Sequence, residues 1–150
     1  MATGRFVSDL DKGDQLGPVD YVVSAFTVRE YCHSVEITEE AFLGTDQPIA
    51  PPTLVHLDKL KLYEAACPEG TGPSARLHVE FDADFHDYIH VDTEVEVAGK
   101  VTDRFEKRGR TYVITEIDLR EKATGKRLIT YRDTVILAYR QAEEHGGQTQ

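Results

Sequence analysis

The sequence predicts an α+β fold, a single antiparallel sheet curved around one long central helix. Three observations predict it. From Ser74 onward, four segments carry the apolar–polar alternation of half-buried strands. Two of the connections between them are tight, glycine-containing turns, which join antiparallel neighbours. Upstream lies one segment, Thr53 to Ala66, that is apolar over more than one stripe, as a mostly buried helix is.

The first strand runs from Ser74 to Asp82, with Ala75, Leu77, Val79 and Phe81 facing the core and Arg76 and His78 facing water. The second, Thr93 to Phe105, buries Val95 and Val97. Lys107-Arg108-Gly109 makes the turn, with Gly109 free to take positive φ. Thr111 to Arg120 is the third strand, and Val113, Ile117 and Leu119 form its apolar face. After Ala123-Thr124-Gly125 comes the fourth, Lys126 to Tyr139, with Ile129, Tyr131, Val135, Leu137 and Tyr139 in alternation.

The first half is helical. Val19 to Phe26 is β-branched and aromatic and reads as one more strand. Thr27 with Glu30 has the capping-box spacing and starts a short helix from Val28 to about Glu36. Thr38 begins another helical turn that ends at Gly44. Pro51-Pro52 leads into the central helix, and Pro68 and Gly70 stop it. A sheet wrapped around that helix, the hot-dog arrangement, buries it most economically; the alternative lays it on one flat face. The domain spans residues 1–140, and the polar segment 141–150 is expected to be a disordered tail.

Composition narrows the function. The chain has 150 residues and a formal net charge of −10, which argues against a nucleic-acid partner. No apolar run approaches the roughly 20 residues of a membrane span, and Met1 to Leu10 lacks the pattern of a signal peptide. Cys32 and Cys67 are isolated, as reduced thiols of a cytoplasmic protein are.

Several segments resemble one family. Pro48-Ile49-Ala50-Pro51-Pro52-Thr53-Leu54 resembles the start of the central helix in MaoC-like hot-dog dehydratases. Arg76 to Asp92, with Phe81, His86, Val91 and Asp92, resembles that family's stretch into its next turn. Gly99 to Arg104, Lys107 to Arg110 and Tyr112-Val113 resemble its following hairpin. Lys12-Gly13-Asp14, Tyr21-Val22-Val23, Val28 and Tyr31 resemble its opening strand and first helix, so that the resemblance covers about Arg5 to Tyr139. It implies reversible hydration of an enoyl thioester carried by coenzyme A or an acyl carrier protein, with no other cofactor. It also implies a dimer or higher hot-dog oligomer, with sites at the dimer interface. The family's catalytic Asp and His lie in an Asp-x-Asn-x-x-His loop after the first helix. Here that place holds His33-Ser34-Val35-Glu36-Ile37-Thr38-Glu39-Glu40, so the motif is absent.

Candidate site residues follow. His56, an ionisable group on an apolar helix start, would lie beside the thioester and tune by burial. His33 and Glu36, three apart on one helix face, could share acid–base work, or form a polar surface. His86 of the His86-Asp87-His90 group is the member expected beside substrate; in a loop the three do not converge on a metal, and none is expected. Ala50, Pro52 and Thr53 at the helix start would bind the thioester carbonyl through the backbone. Arg108 and Arg110 could clamp a phosphate, or be solvated turn charges. Three functions remain open: an acyl-thioester hydratase or dehydratase with a non-standard site, a non-catalytic subunit of a heteromeric dehydratase, and a thioesterase or other lyase on the same fold.

Overall fold

Strands β1 (Gln15–Val22), β2 (Arg76–Phe85), β3 (Glu94–Lys107), β4 (Arg110–Glu121) and β5 (Arg127–Leu137) form one antiparallel sheet in the order β1-β3-β4-β5-β2. The computed structural model describes residues 5–137, so Tyr139 and the segment 141–150 lie outside the described residues. Helices α1 (Ala25–Ser34), α2 (Glu40–Leu43) and α3 (His56–Ala66) come between β1 and β2. Both expected tight turns form: Arg108 (φ 53°) and Gly109 (φ 71°) join β3 to β4, and Gly125 (φ 72°) turns β4 into β5.

The sheet curves around α3, and β1, β2, β3 and β5 each reach it, β5 through Asp133 against Lys59. Tyr21 of β1 donates to Asp58. Gly99 of β3 lies so close to Leu62 that a Cβ there would be 3.2 Å from Leu62 Cδ1 and from Ile117 Cγ1 of β4. The Tyr131 hydroxyl of β5 donates to the Val55 carbonyl at 3.1 Å, and Arg76 of β2 lies over the Tyr63 ring. The wrapped arrangement is thus the observed one, and the flat-face alternative is not. Leu16, Leu62, Val95, Val97, Ile117, Leu119 and Ile129 make up much of the core between helix and sheet.

Five expectations need correction. The strand predicted at Val19–Phe26 lies earlier, at Gln15–Val22, and α1 begins at Ala25. Ser24, not Thr27, is its N-cap, with its side chain accepting from the Thr27 amide. The central helix is shorter than predicted, because Pro52–Val55 is a 3-10 turn and the α-helix starts at His56. Nor is that helix buried all round: Leu60 is 56% exposed, whereas Asp58 is fully buried. Finally, β2 does not keep one alternation. A bulge between His78 and Glu80 shifts its register against β5. Before the bulge Arg76 and His78 face the helix and Leu77 and Val79 are exposed; after it Phe81 and Ala83 pack on the core. His78, expected in water, is therefore turned toward β5 and α3. Among the described residues no helix is long and apolar enough to cross a membrane.

Candidate active site

The chain between α2 and α3 is held by the loop that follows β2. The Ala50 amide donates to the Ile89 carbonyl at 2.7 Å, and the Val91 amide to the Pro48 carbonyl at 3.0 Å. Pro51 and Pro52 then turn the chain into the 3-10 segment ahead of α3. Beside this turn opens a cleft of about 520 Å³, lined by Phe42, Ile49, Ala50, Pro52, Phe85, His86, Asp87, Tyr88, Ile89 and Ile129. Its walls are largely apolar, with His86 and Asp87 as the ionisable groups.

His86 is fixed by a short relay. Thr130 donates its hydroxyl proton to Asp118 Oδ1 at 2.8 Å. Its oxygen is then an acceptor for His86 Nε2 at 3.1 Å, which places the ring proton on Nε2. Asp87 pairs with Lys126, and that cation holds its carboxyl below the usual range. His90 sits instead opposite Ile49 in a β-bridge. The His86-Asp87-His90 group therefore diverges, and among the described residues no three metal-ligating side chains converge.

The turn itself corrects the predicted carbonyl site. The Ala50 amide is already engaged with Ile89, and Pro51 and Pro52 have no N–H to give. The Leu54 amide donates to the Pro51 carbonyl at 3.0 Å. That leaves the Thr53 amide, which makes no hydrogen bond among the described residues. The Thr53 hydroxyl accepts from Tyr31 of α1 at 2.7 Å and so braces the turn.

One turn further on, a second group of polar residues lies against α3. The His56 ring packs on Phe81, centroids 4.3 Å apart, and edge-on to His78 at 6.0 Å. Phe81 in turn stacks against Tyr131 at 5.2 Å. His78 Nε2 lies against Asp133 Oδ1 without an aligned hydrogen bond, and 3.1 Å from the Glu80 carbonyl. Asp133 Oδ2 accepts from Lys59 Nζ at 3.0 Å. Asp133 is 1% exposed. Burial, with Lys59 and His78 nearby, pushes His56 below the usual histidine range. A third polar site, Asp58 with Tyr21 and Lys61, is buried on the β1 side of the same helix.

Of the residues singled out in the sequence, Ala50, Pro52 and His86 line the cleft. Thr53 and His56 follow Pro52 along the same turn and helix start. His33 and Glu36 do not form a pair. α1 ends at Ser34, and Glu36 has φ 58°, so the two exposed side chains are not on one helix face. Arg108 and Arg110 are at the far end of the sheet. Leu119, which pairs with Ile129 of the cleft, is roughly 30 Å of strand beyond Arg110. Sequence reasoning missed His78, Lys59 and Asp133. A signal for Asp133 was present, since it shares the buried parity of Tyr131 and Val135, where an acid is out of place.

No family model matches the sequence, and no curated protein matches it. Solved structures do resemble the fold. The HadBC (3R-hydroxyacyl-ACP dehydratase) complex from Mycobacterium tuberculosis gives a TM-score of 0.70 at 17% identity, covering 85% of this chain and 97% of the other. The (R)-hydratase from A. caviae involved in PHA biosynthesis gives 0.67 at 16% identity, covering 85% and 96%. A MaoC-like dehydratase from Rhodospirillum rubrum gives 0.63 at 16% identity, covering 93% and 100%. The architecture is the hot-dog fold, shared with MaoC-like dehydratases and R-hydratases.

Proposed function

We propose that this chain binds an acyl thioester of coenzyme A or an acyl carrier protein and catalyses the reversible hydration of its enoyl form. The observation that carries this reading is the apolar cleft at the start of α3, where the unengaged Thr53 amide follows Pro52. An acyl chain suits apolar walls. A thioester carbonyl suits a backbone donor at a helix start, where the dipole favours developing negative charge. His56, held uncharged at neutral pH by burial and Lys59, lies one turn further on and packs beside the place where the reacting carbons would lie. No cofactor beyond the thioester carrier is needed for this chemistry. The acting unit is proposed to be a dimer, since β2 is an edge strand with exposed Leu77, Val79 and Phe85.

The test is hydration of short and long 2-enoyl-CoAs by the purified chain, followed as loss of the conjugated absorbance. Wild type should turn over, and His56→Ala should lose most of the rate, while His33→Ala should not. A wild type inert on every chain length, and on 3-hydroxyacyl-CoAs in reverse, would sink the hydratase reading.

One observation favours a second reading, that of a non-catalytic subunit in a heteromeric dehydratase. The segment after α1 carries no Asp/His pair, and His33 and Glu36 stand apart on the surface. A chain that is inert alone but raises the activity of a second hot-dog protein would support that reading.

A further inference from the structure

We propose that His78 of β2 and Asp133 of β5 form the acid–base pair of this protein, assembled across the sheet in place of a pair on one loop. The inference rests on the acyl-thioester reading above and assigns its proton-transfer groups.

Nε2 of His78 faces the Asp133 carboxylate and the Glu80 carbonyl, and neither can donate a hydrogen bond when Asp133 is ionised. Nε2 must therefore carry the ring proton. The lone pair of the neutral ring is then on Nδ1, which has no partner among the described residues. A buried carboxylate that fixes the tautomer of a half-exposed imidazole is the arrangement that makes histidine a directed base. The His78 side chain is 37% exposed and that of Asp133 is 1% exposed, so the pair has an inner orienting member and an outer working member.

β2 and the segment from Pro52 to Tyr63 run alongside each other in opposite directions: Arg76 lies over Tyr63, and Phe81 against His56. Phe85 and Pro52 line the cleft. Four residues further along each segment come Phe81 and His56, and next to them His78. Thr53, the proposed carbonyl donor, is only three residues before His56, about one helical turn, and the His78 ring lies 6.0 Å from that of His56. The bulge at Val79 is what turns His78 inward at this point, and bulges recur where a side chain must be re-aimed at a site.

Packing alone does not call for an acid at position 133. Its neighbours on the buried face, Tyr131 and Val135, are 1% and 5% exposed. A buried carboxylate in that row needs polar partners, and Lys59 is one of them.

In the hydration direction the water oxygen bonds to the β-carbon while one water proton passes to His78 Nδ1. The pair of the carbon–carbon double bond moves to the α-carbon and onto the thioester carbonyl. The α-carbon then takes the proton back from the His78 imidazolium, which ends neutral. Dehydration is the same sequence reversed. Asp133 is a positioning residue: its carboxylate lies against Nε2, beside the Glu80 carbonyl, and stabilises the cation that forms.

The experiment uses the full chain and 2-enoyl-CoAs of several lengths. His78→Gln should lower kcat on the order of 100-fold or more with little change in KM. Asp133→Asn should lower kcat and, in nitrogen NMR of the histidine rings, release His78 from the Nε2–H tautomer that wild type shows. If Asp133→Asn fails to fold, His78→Gln on the edge strand still decides the matter. An active wild type with His78→Gln within threefold of it overturns the pair and leaves the hydratase reading standing. A wild type with the Nε2–H tautomer but no activity on any enoyl-CoA overturns that reading, and the catalytic role with it.

Discussion

The Tyr21 hydroxyl donates to Asp58 Oδ1 at 2.5 Å, tying the edge strand β1 to the central helix through a carboxyl with no exposed surface. Lys61 lies 3.7 Å from the same oxygen and 4.2 Å over the Tyr21 ring. Asp58 Oδ2 has no partner. Burial wins over these favourable neighbours and lifts Asp58 from 3.8 to about 6. The folded protein thus holds a proton there across an interval in which the unfolded chain has released it.

That shift sets a pH dependence. The stabilising contribution of Asp58 is fully present below 3.8 and is lost as pH rises to about 6. Its size is on the order of 3 kcal/mol. Asp58→Asn keeps an acceptor for Tyr21 and has nothing to titrate. Its Tm relative to wild type should therefore rise between pH 4 and pH 7.5, by roughly 5–10 °C for a domain of this size. Thermal unfolding of both proteins across that range checks it, and parallel curves would count against a buried, titrating Asp58.

Glycine positions give a stability test free of charge. Gly17 has φ +78°, and a Cβ there would lie 2.8 Å from Leu62 Cδ2 and 2.9 Å from the Val97 carbonyl. Gly109 has φ +71° with open space around it. Gly109→Ala should cost only the left-handed backbone, about 1 kcal/mol. Gly17→Ala adds an overlap with a backbone atom that cannot move aside, and should cost at least about 2 kcal/mol more. Urea unfolding of the two variants measures the difference; equal losses would mean that β1 can shift away from α3.

The strands were legible because the apolar residues of β3, β4 and β5 that were read recur at period two, so that Val95, Val97, Ile117, Leu119 and Ile129 fell on the buried face as read. Gly109 likewise adopted the positive φ that its type favours, while Arg108 beside it took a left-handed conformation that arginine does not favour. The site was less legible, for a local reason. The extra residue at the β2 bulge reverses which side chains face inward, and alternation read through it places His78 in water. A pattern of period two carries no mark of such an insertion. The Ala50 amide was misassigned for another reason: its partner, the Ile89 carbonyl, is 39 residues away along the chain. His33 and Glu36 failed as a pair because α1 begins three residues early, at Ser24's cap, and ends before Glu36.

His56 offers a titration test of the polar group beside α3. Burial comes first among the causes that depress it, followed by the Lys59 ammonium and His78, with Asp133 opposing. Its NMR midpoint should fall below 6.5, the ordinary histidine value. Lys59→Met removes the nearby cation and should move the midpoint upward, toward that value. Because the folded pKa is depressed, the associated stability is present above 6.5 and lost as pH falls through the folded midpoint. A His56 midpoint unmoved by Lys59→Met would separate the two groups.

Phe85 tests the cleft. It lines the wall but is 55% exposed, so Phe85→Ser should cost little stability, about 1 kcal/mol or less. Its effect belongs to binding. In wild type, affinity for acyl-CoAs should rise with chain length by up to about 0.8 kcal/mol per CH₂ buried, until the chain outgrows the cleft. Removing the ring opens one wall, so the same series should flatten in Phe85→Ser while the shortest acyl-CoA binds almost as before. Calorimetric titration with saturated acyl-CoAs, which cannot be hydrated, reads binding without turnover. A series equally steep in both proteins would place the acyl chain somewhere other than this cleft.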